Sequence, residues 1–161
     1  MNLTTKQRKN IKRATWLLFI IYIFVMAYFL FFSEMLHRGP GETYRYNLEF
    51  FKEIKRGLKF IGTNREWYFW LNIAMNVVAF MPLGFCLPIV SEKHKNFIRV
   101  FIISVLLSLG IETLQLYFKV GSFDVDDILM NVSGALLGFI LERICFGIYK
   151  LFHRKRKRRR K

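Results

Sequence analysis

The sequence is poor in the residues that hold small secreted or metal-dependent domains together. Among 161 residues there are only two cysteines, three histidines and three prolines. Cys86 and Cys145 each lie inside an apolar run and read as packing residues, which excludes a disulfide scaffold. His37, His94 and His153 are scattered among the connections and the tail, without the spacing of a histidine zinc site. Acidic residues are scarce too, 11 against 26 Lys and Arg, for a net charge of +15. Charge is missing from long stretches and collects at the ends and in short connections, a segregation that the mean hydropathy of +0.25 averages away. The 18 Phe residues exclude a disordered basic protein. No internal repeat or low-complexity linker breaks the chain, apart from its basic tail.

The charge-poor stretches are long enough to cross a bilayer four times. A hydrocarbon core about 30 Å thick asks for about 20 mostly apolar residues in a helix. Residues 14–32 and 67–90 carry no charge, 100–118 carry only Glu112, and 128–149 carry Glu142 and Arg143 near their far end, where Arg143 can snorkel to the surface. The first run follows a basic arm as a signal peptide would. It is longer than a usual signal core and ends in Phe31-Phe32-Ser33-Glu34 without a small-x-small cleavage site, so it reads as a retained anchor. The expected fold is an all-α integral membrane bundle of four transmembrane helices, with an amphipathic outer-surface helix between the first two. Residues 1–13 form a basic arm, 14–150 the membrane domain and 151–161 a polybasic tail.

Lys and Arg in the connections set the expected orientation. Five lie in the N-terminal arm (Lys6, Arg8, Lys9, Lys12, Arg13), three between 91 and 99 (Lys93, Lys95, Arg99), and every residue from 154 to 161 is basic. Four spans put these regions on one side. The 33–66 connection holds seven basic residues offset by five Glu, and 119–127 holds only Lys119. Both termini are therefore expected in the cytoplasm of a multi-pass protein. The tail lacks the folded reader or aromatic interleaving of a nucleic-acid arm. It reads as a positive-inside determinant held by anionic lipid headgroups, at about 1 kcal/mol per residue.

Polar side chains inside spans are costly, so each is a candidate for the bundle interior. Asn72 and Asn76 lie one turn apart in the outer half of the second span. Ser104, Ser108, Glu112 and Gln115 form one stripe on the third. Asp127, Asn131, Gly134 and Gly138 form another on the fourth, and all three stripes meet in the outer half of the bilayer. The connection Lys119-Val-Gly-Ser-Phe-Asp-Val-Asp-Asp127 adds three carboxylates in four residues. Asp127 is placed to cap the fourth helix, while Asp124 and Asp126 suit either a site or a solvated turn. Glu112 has the weakest packing explanation, since a carboxylate two turns inside an apolar span must lose its charge or find partners. Gln115, Asn76 and Asn131 are the donors within reach. A raised pKa would suit a general acid or base and a lowered one would suit metal or substrate binding.

Other residues carry structural expectations. Gly134 and Gly138 have the small-xxx-small spacing that lets a second helix approach, in this chain or in a homodimer. Pro82, two residues before Gly84, and Pro88 remove backbone bonds from the second helix, so a kink or an early unwound end is expected below Phe80. Leu48, Phe51, Ile54 or Leu58, and Ile61 recur near helical spacing among Lys and Glu, which predicts the amphipathic helix and lets it roof the polar cluster.

Three blocks resemble the VanZ family of bacterial membrane proteins. They are Tyr46-Asn47-Leu48 with Lys52-Glu53-Ile54-Lys55; Asn76-Val-Val-Ala-Phe-Met-Pro-Leu-Gly-Phe85 with Leu87-Pro88; and Ser108 to Gln115 with Gly121-Ser-Phe-Asp-Val-Asp-Asp127 and Asn131 to Gly138. Together they cover roughly residues 45–140. Glu112-x-x-Gln115, the acidic connection and Asn131-x-x-Gly134-x-x-x-Gly138 are the most specific part. Departures are Glu49-Phe50, where many relatives carry an apolar residue and Pro, and Lys119, where Arg is frequent. The resemblance implies a cell-envelope protein of Gram-positive type in the bacterial cytoplasmic membrane, with low-level teicoplanin resistance as the founding phenotype and no altered wall precursor.

Two function classes follow. In the first, a lipid-linked or lipoglycopeptide ligand binds an outer-leaflet pocket made from Asn76, Glu112, Gln115, Asp124, Asp127 and Asn131, with no cofactor. In the second, an integral-membrane hydrolase or transferase acts on a lipid phosphate, with a divalent cation on Asp124, Asp126 and Asp127 and Glu112 as its catalytic base. No Ser, Cys or His nucleophile constellation supports the second. A transporter or channel would want more polar residues in the inner half than the sequence supplies.

Overall fold

The computed structural model describes residues 5–31, 43–64, 66–91 and 96–158. Helix α1 (Thr5–Phe31) leads to a short strand β1 (Tyr46–Asn47) and a short helix α2 (Lys52–Leu58). Then come α3 (Glu66–Val90), α4 (Phe97–Tyr117), strand β2 (Phe123–Asp124) and α5 (Val125–Arg158). Four of these helices are long and apolar enough to cross a membrane, in the places the sequence predicts. The side chains of His37, His94, His153 and the polybasic tail lie outside the described residues, although α5 carries the backbone on to Arg158.

Close packing of α3 on α5 organises the bundle. A Cβ on Gly134 would stand 2.0 Å from the Val77 carbonyl oxygen, one on Gly138 2.0 Å from that of Met81, and one on Gly84 1.7 Å from that of Ala135. Val77 and Met81 advance by one turn as Gly134 and Gly138 do, so the two helices run in the same direction with their backbones in contact. The small-residue spacing therefore serves a helix pair within this chain. Phe80, Leu83 and Ala135 form the buried core beside it, and Phe19, Tyr22 and Met26 of α1 pack against that core. The Tyr22 hydroxyl donates to the Ala79 carbonyl at 2.6 Å. The remaining faces of α1 present Leu17, Leu18, Phe24 and Val25 outward, as lipid-facing residues should be.

Helix α4 lies antiparallel to α5. Asn131 reaches Ser108 at one level and Phe139 meets Phe97 at another, with ring centroids 5.9 Å apart. Asn96 caps α4 through a bond from the Ile98 N–H to its side chain at 2.8 Å, which starts the helix three residues before the expected span. Two expectations need correction. Both prolines sit inside α3, which continues to Val90, so the early unwound end does not occur; Pro88 is buried. The amphipathic helix is only seven residues long: Leu48 to Phe51 form the turn that follows β1 and Ile61 lies in a turn beyond Leu58, so of the expected stripe only Ile54 and Leu58 are helical.

At the other end of α5 the fold carries a polar blemish. Glu142 is buried, and its Oε2 makes no hydrogen bond among the described residues, with Arg143 Nε 3.3 Å away. Arg143 is half-buried and lies over the Phe139 ring rather than extending free. Cys86 is half-buried, whereas Cys145 is exposed on the lipid-facing side and is not a packing residue.

Candidate ligand cleft

The connections 43–64 and 118–124 meet at one end of the bundle because β1 pairs with β2. The strands are parallel, with Tyr46 opposite Phe123 and Asn47 opposite Asp124, and the Phe123 N–H donates to the Arg45 carbonyl at 3.0 Å. The turn into β2 is a helix C-cap with Lys119 in the left-handed conformation at φ 55°. The Val120 N–H returns to the Gln115 carbonyl at 3.0 Å and the Lys119 N–H to Leu116 at 3.1 Å, which satisfies carbonyls that the end of α4 leaves open. The Lys119 ammonium sits 4.7 Å from the centre of the Tyr44 ring.

Every carboxylate of the acidic connection has a separate task. Asp124 immediately precedes α5 and accepts the Asp126 N–H at 2.8 Å through Oδ1. It is thus the residue that caps α5, the task expected of Asp127. The same Oδ1 accepts Asn47 Nδ2 at 3.0 Å, and the Asp124 N–H donates to Glu112 Oε2 at 3.1 Å. Asp126 is fully buried, and its two oxygens take the backbone N–H groups of Phe51 and Glu53, the latter at 2.8 Å. Neither Asp124 nor Asp126 is a solvated turn residue. Asp127 accepts Asn76 Nδ2 at 2.7 Å, which ties α5 to α3.

Below this cap Ser104, Ser108, Glu112 and Gln115 are all buried on one face of α4, as their spacing predicts. Ser104 donates to the Val100 carbonyl, and Asn131 donates from Nδ2 to Ser108 Oγ at 3.0 Å. One donor to Glu112 is thus the Asp124 backbone N–H, while the Asn76 and Asn131 amides donate to Asp127 and Ser108. Among the described residues, no three His, Cys, Asp or Glu side chains converge as a metal ligand set. Asp124, Asp126 and Asp127 face different donors.

Above the buried layer lies an open cleft of about 660 Å³. Arg45, Glu53, Ile54, Arg56 and Gly57 wall one side; Tyr68, Phe69, Asn72 and Ile73 of α3 wall another; Ser122, Asp124, Asp127 and Met130 complete it. Helix α2 is thus the roof that its amphipathic pattern predicts. It is held there by Gly57, where a Cβ would stand 1.9 Å from the Phe69 ring, and by Asp126 at its start, where Phe51 is left-handed at φ 63°. Of the expected site residues, Asp124 and Asp127 line the cleft, Asn76 supports it through Asp127, and Glu112, Gln115 and Asn131 lie beneath it. Arg45, Glu53, Arg56 and Tyr68 are cleft residues that the sequence reading missed. Arg56 pairs with Glu53 at 2.7 Å. Burial raises the Asp124 carboxyl above its ordinary value; the Asp126 N–H and the Asn47 amide pull it back, and the charges of Asp126 and Glu53 push it further up.

Four apolar helices with a charged cleft under a small cap at one end define a polytopic membrane protein built around a polar site at that end. Comparison with known proteins gives this class a family. The VanZ/LLP1 family model matches residues 19–148, and the chain belongs to that family. It is 36% identical over 66 residues to Protein VanZ of Enterococcus faecium, a stretch that covers 41% of this chain and 40% of that relative. The chain thus spans well under half the length of that curated relative. No solved structure matches it.

Proposed function

We propose that the protein binds a lipid-linked ligand, or changes access to one, through the cleft, and that the cleft opens at the outer leaflet of the bacterial cytoplasmic membrane. Membership of the VanZ/LLP1 family and the likeness to Protein VanZ make low-level teicoplanin resistance the phenotype to test. The observation that carries the reading is the cleft itself, in which charged side chains and apolar walls share about 660 Å³ at the level where the spans end. Exposed Trp67 and Tyr68 at the start of α3, with Tyr117 and Phe118 at the end of α4, flank that level as interfacial aromatics do. The basic arm, the basic 91–99 connection and the polybasic tail support cytoplasmic termini, hence an outward-facing cleft, with the tail on anionic headgroups. The metal-assisted enzyme is the weaker reading, because Asp126 is committed to the α2 backbone and Asp127 to Asn76.

The test is teicoplanin and vancomycin susceptibility of a sensitive Gram-positive host expressing wild type, Asp124→Asn and Asp127→Asn at matched membrane levels. Selective protection by the wild type that both variants lose is the expected result. Properly inserted wild type that protects against neither drug would remove the resistance reading.

A further inference from the structure

The Asp124 carboxylate keeps one oxygen that the fold leaves open to the cleft. Asp124 is 5% exposed, and its Oδ1 carries both the Asn47 amide and the Asp126 N–H. Its Oδ2 has no partner among the described residues, and the side chain lines the cleft. The oxygen itself is open to the cleft and not enclosed, so water or a ligand there supplies its donor. Asp127 and Glu53 line the same space and favour a positively charged donor over a neutral one.

The opposite charge is also available. Arg45 lines the cleft, is exposed, and has no ion pair among the described residues, whereas Arg56 is engaged by Glu53 at 2.7 Å. A free guanidinium offers a planar fork that matches phosphate or carboxylate. The cleft thus presents an open acceptor on Asp124 and an open donor group on Arg45, at the height of the interfacial aromatics.

Resting on the reading of the cleft as a lipid site, we propose that it takes the headgroup of a membrane lipid bearing a primary ammonium beside an anionic group, with Asp124 Oδ2 on the ammonium and Arg45 on the anion. A primary ammonium brings three donors, so it can meet Asp124 and still serve Asp127 or Glu53. A quaternary ammonium brings none. The chemistry therefore separates ethanolamine phosphate from choline phosphate, which carries the same charges, and from glycerol phosphate, which lacks the cation.

Calorimetric titration of the full chain in detergent micelles tests this with short-chain lipids carrying each headgroup, and with soluble phosphoethanolamine. The ethanolamine lipid is expected to bind the wild type, with the choline and glycerol lipids weaker by about tenfold or more, the loss of a charged hydrogen bond. Asp124→Asn keeps the Oδ1 acceptor that the fold uses and is expected to abolish this preference, while Arg45→Gln weakens all three lipids. Equal affinity of wild type for the three headgroups would overturn the ammonium assignment and leave the lipid site standing. Failure of all three to bind would overturn both. Soluble phosphoethanolamine binding as tightly as the lipid would overturn the membrane as the source. The headgroup series uses the wild type, so a variant that fails to fold does not decide the outcome.

Discussion

Asp126, in the first turn of α5, accepts the Glu53 N–H at 2.8 Å, so the last helix caps a short helix 73 residues earlier in the chain. A helix of seven residues has too few internal bonds to hold itself in water, and this outside carboxylate supplies part of the deficit. It also holds Phe51 in its left-handed conformation, since the Phe51 N–H binds the other oxygen. The roof of the cleft is thus fixed from below.

Asp126→Ala is expected to undock α2 while leaving the four long helices in place. Removing a buried charged acceptor of two backbone donors should cost about 2–3 kcal/mol. Hydrogen exchange should quicken at residues 51–58 and stay protected along α3 and α5. Equal loss of protection throughout the bundle would show that the cap and the bundle are one cooperative unit.

The glycines of the long helices divide into those of the α3–α5 contact, which have no room, and those elsewhere, which have space. A Cβ on Gly84, Gly134 or Gly138 would strike a carbonyl of the facing helix, while one on Gly110 or Gly147 meets nothing within 4 Å. Gly84→Ala and Gly138→Ala should each destabilise the detergent-solubilised bundle by about 1–3 kcal/mol. Gly110→Ala and Gly147→Ala should be neutral or stabilising by up to about 1 kcal/mol through helix propensity. Thermal unfolding of the four variants side by side checks the contrast, and uniform shifts would refute the close contact.

Asp124 makes stability depend on pH in a definite direction. Its carboxyl is raised above the ordinary value of 3.8, chiefly by burial, with Glu53 and Asp126 adding to the rise and Asn47 and the Asp126 N–H opposing it. The folded protein therefore holds this proton more tightly than the unfolded chain. Its contribution favours the fold below about pH 4 and is lost as the pH climbs through the raised folded value. Asp124→Asn should remove this dependence, so its melting temperature should gain on wild type between about pH 3.5 and neutrality. Parallel curves for the two proteins would count against a raised Asp124.

The long elements were legible because each depends on local composition. Apolar runs of span length found α1, α3, α4 and α5, and the intervals between Ser104, Ser108, Glu112 and Gln115 found the buried face of α4. Gly134 and Gly138 announced a close contact without naming Val77 and Met81 as its other side. The cap was less legible because it rests on long-range pairing. Two residues of β1 and two of β2 carry no period that could be read, so Asn47 gave no sign of meeting Asp124, nor Arg45 of meeting Phe123. The capping role went to Asp124 instead of Asp127 because β2 ends there and α5 starts one residue later. Pro82 and Pro88 do not end α3, which is packed on α5 through Gly84 and buries Pro88.

The claim on which the functional account turns is that the cleft faces out of the cell. With Cys86 and Cys145 replaced by alanine, Ser122→Cys places one thiol on the cleft wall, and a membrane-impermeant maleimide applied to intact cells reads its side. The account expects labelling without permeabilisation, reduced in a chain that also carries bulky Asn72→Trp within the same cleft. Labelling that appears only after the membrane is opened would put the cleft in the cytoplasm and contradict a site for an outer-leaflet ligand.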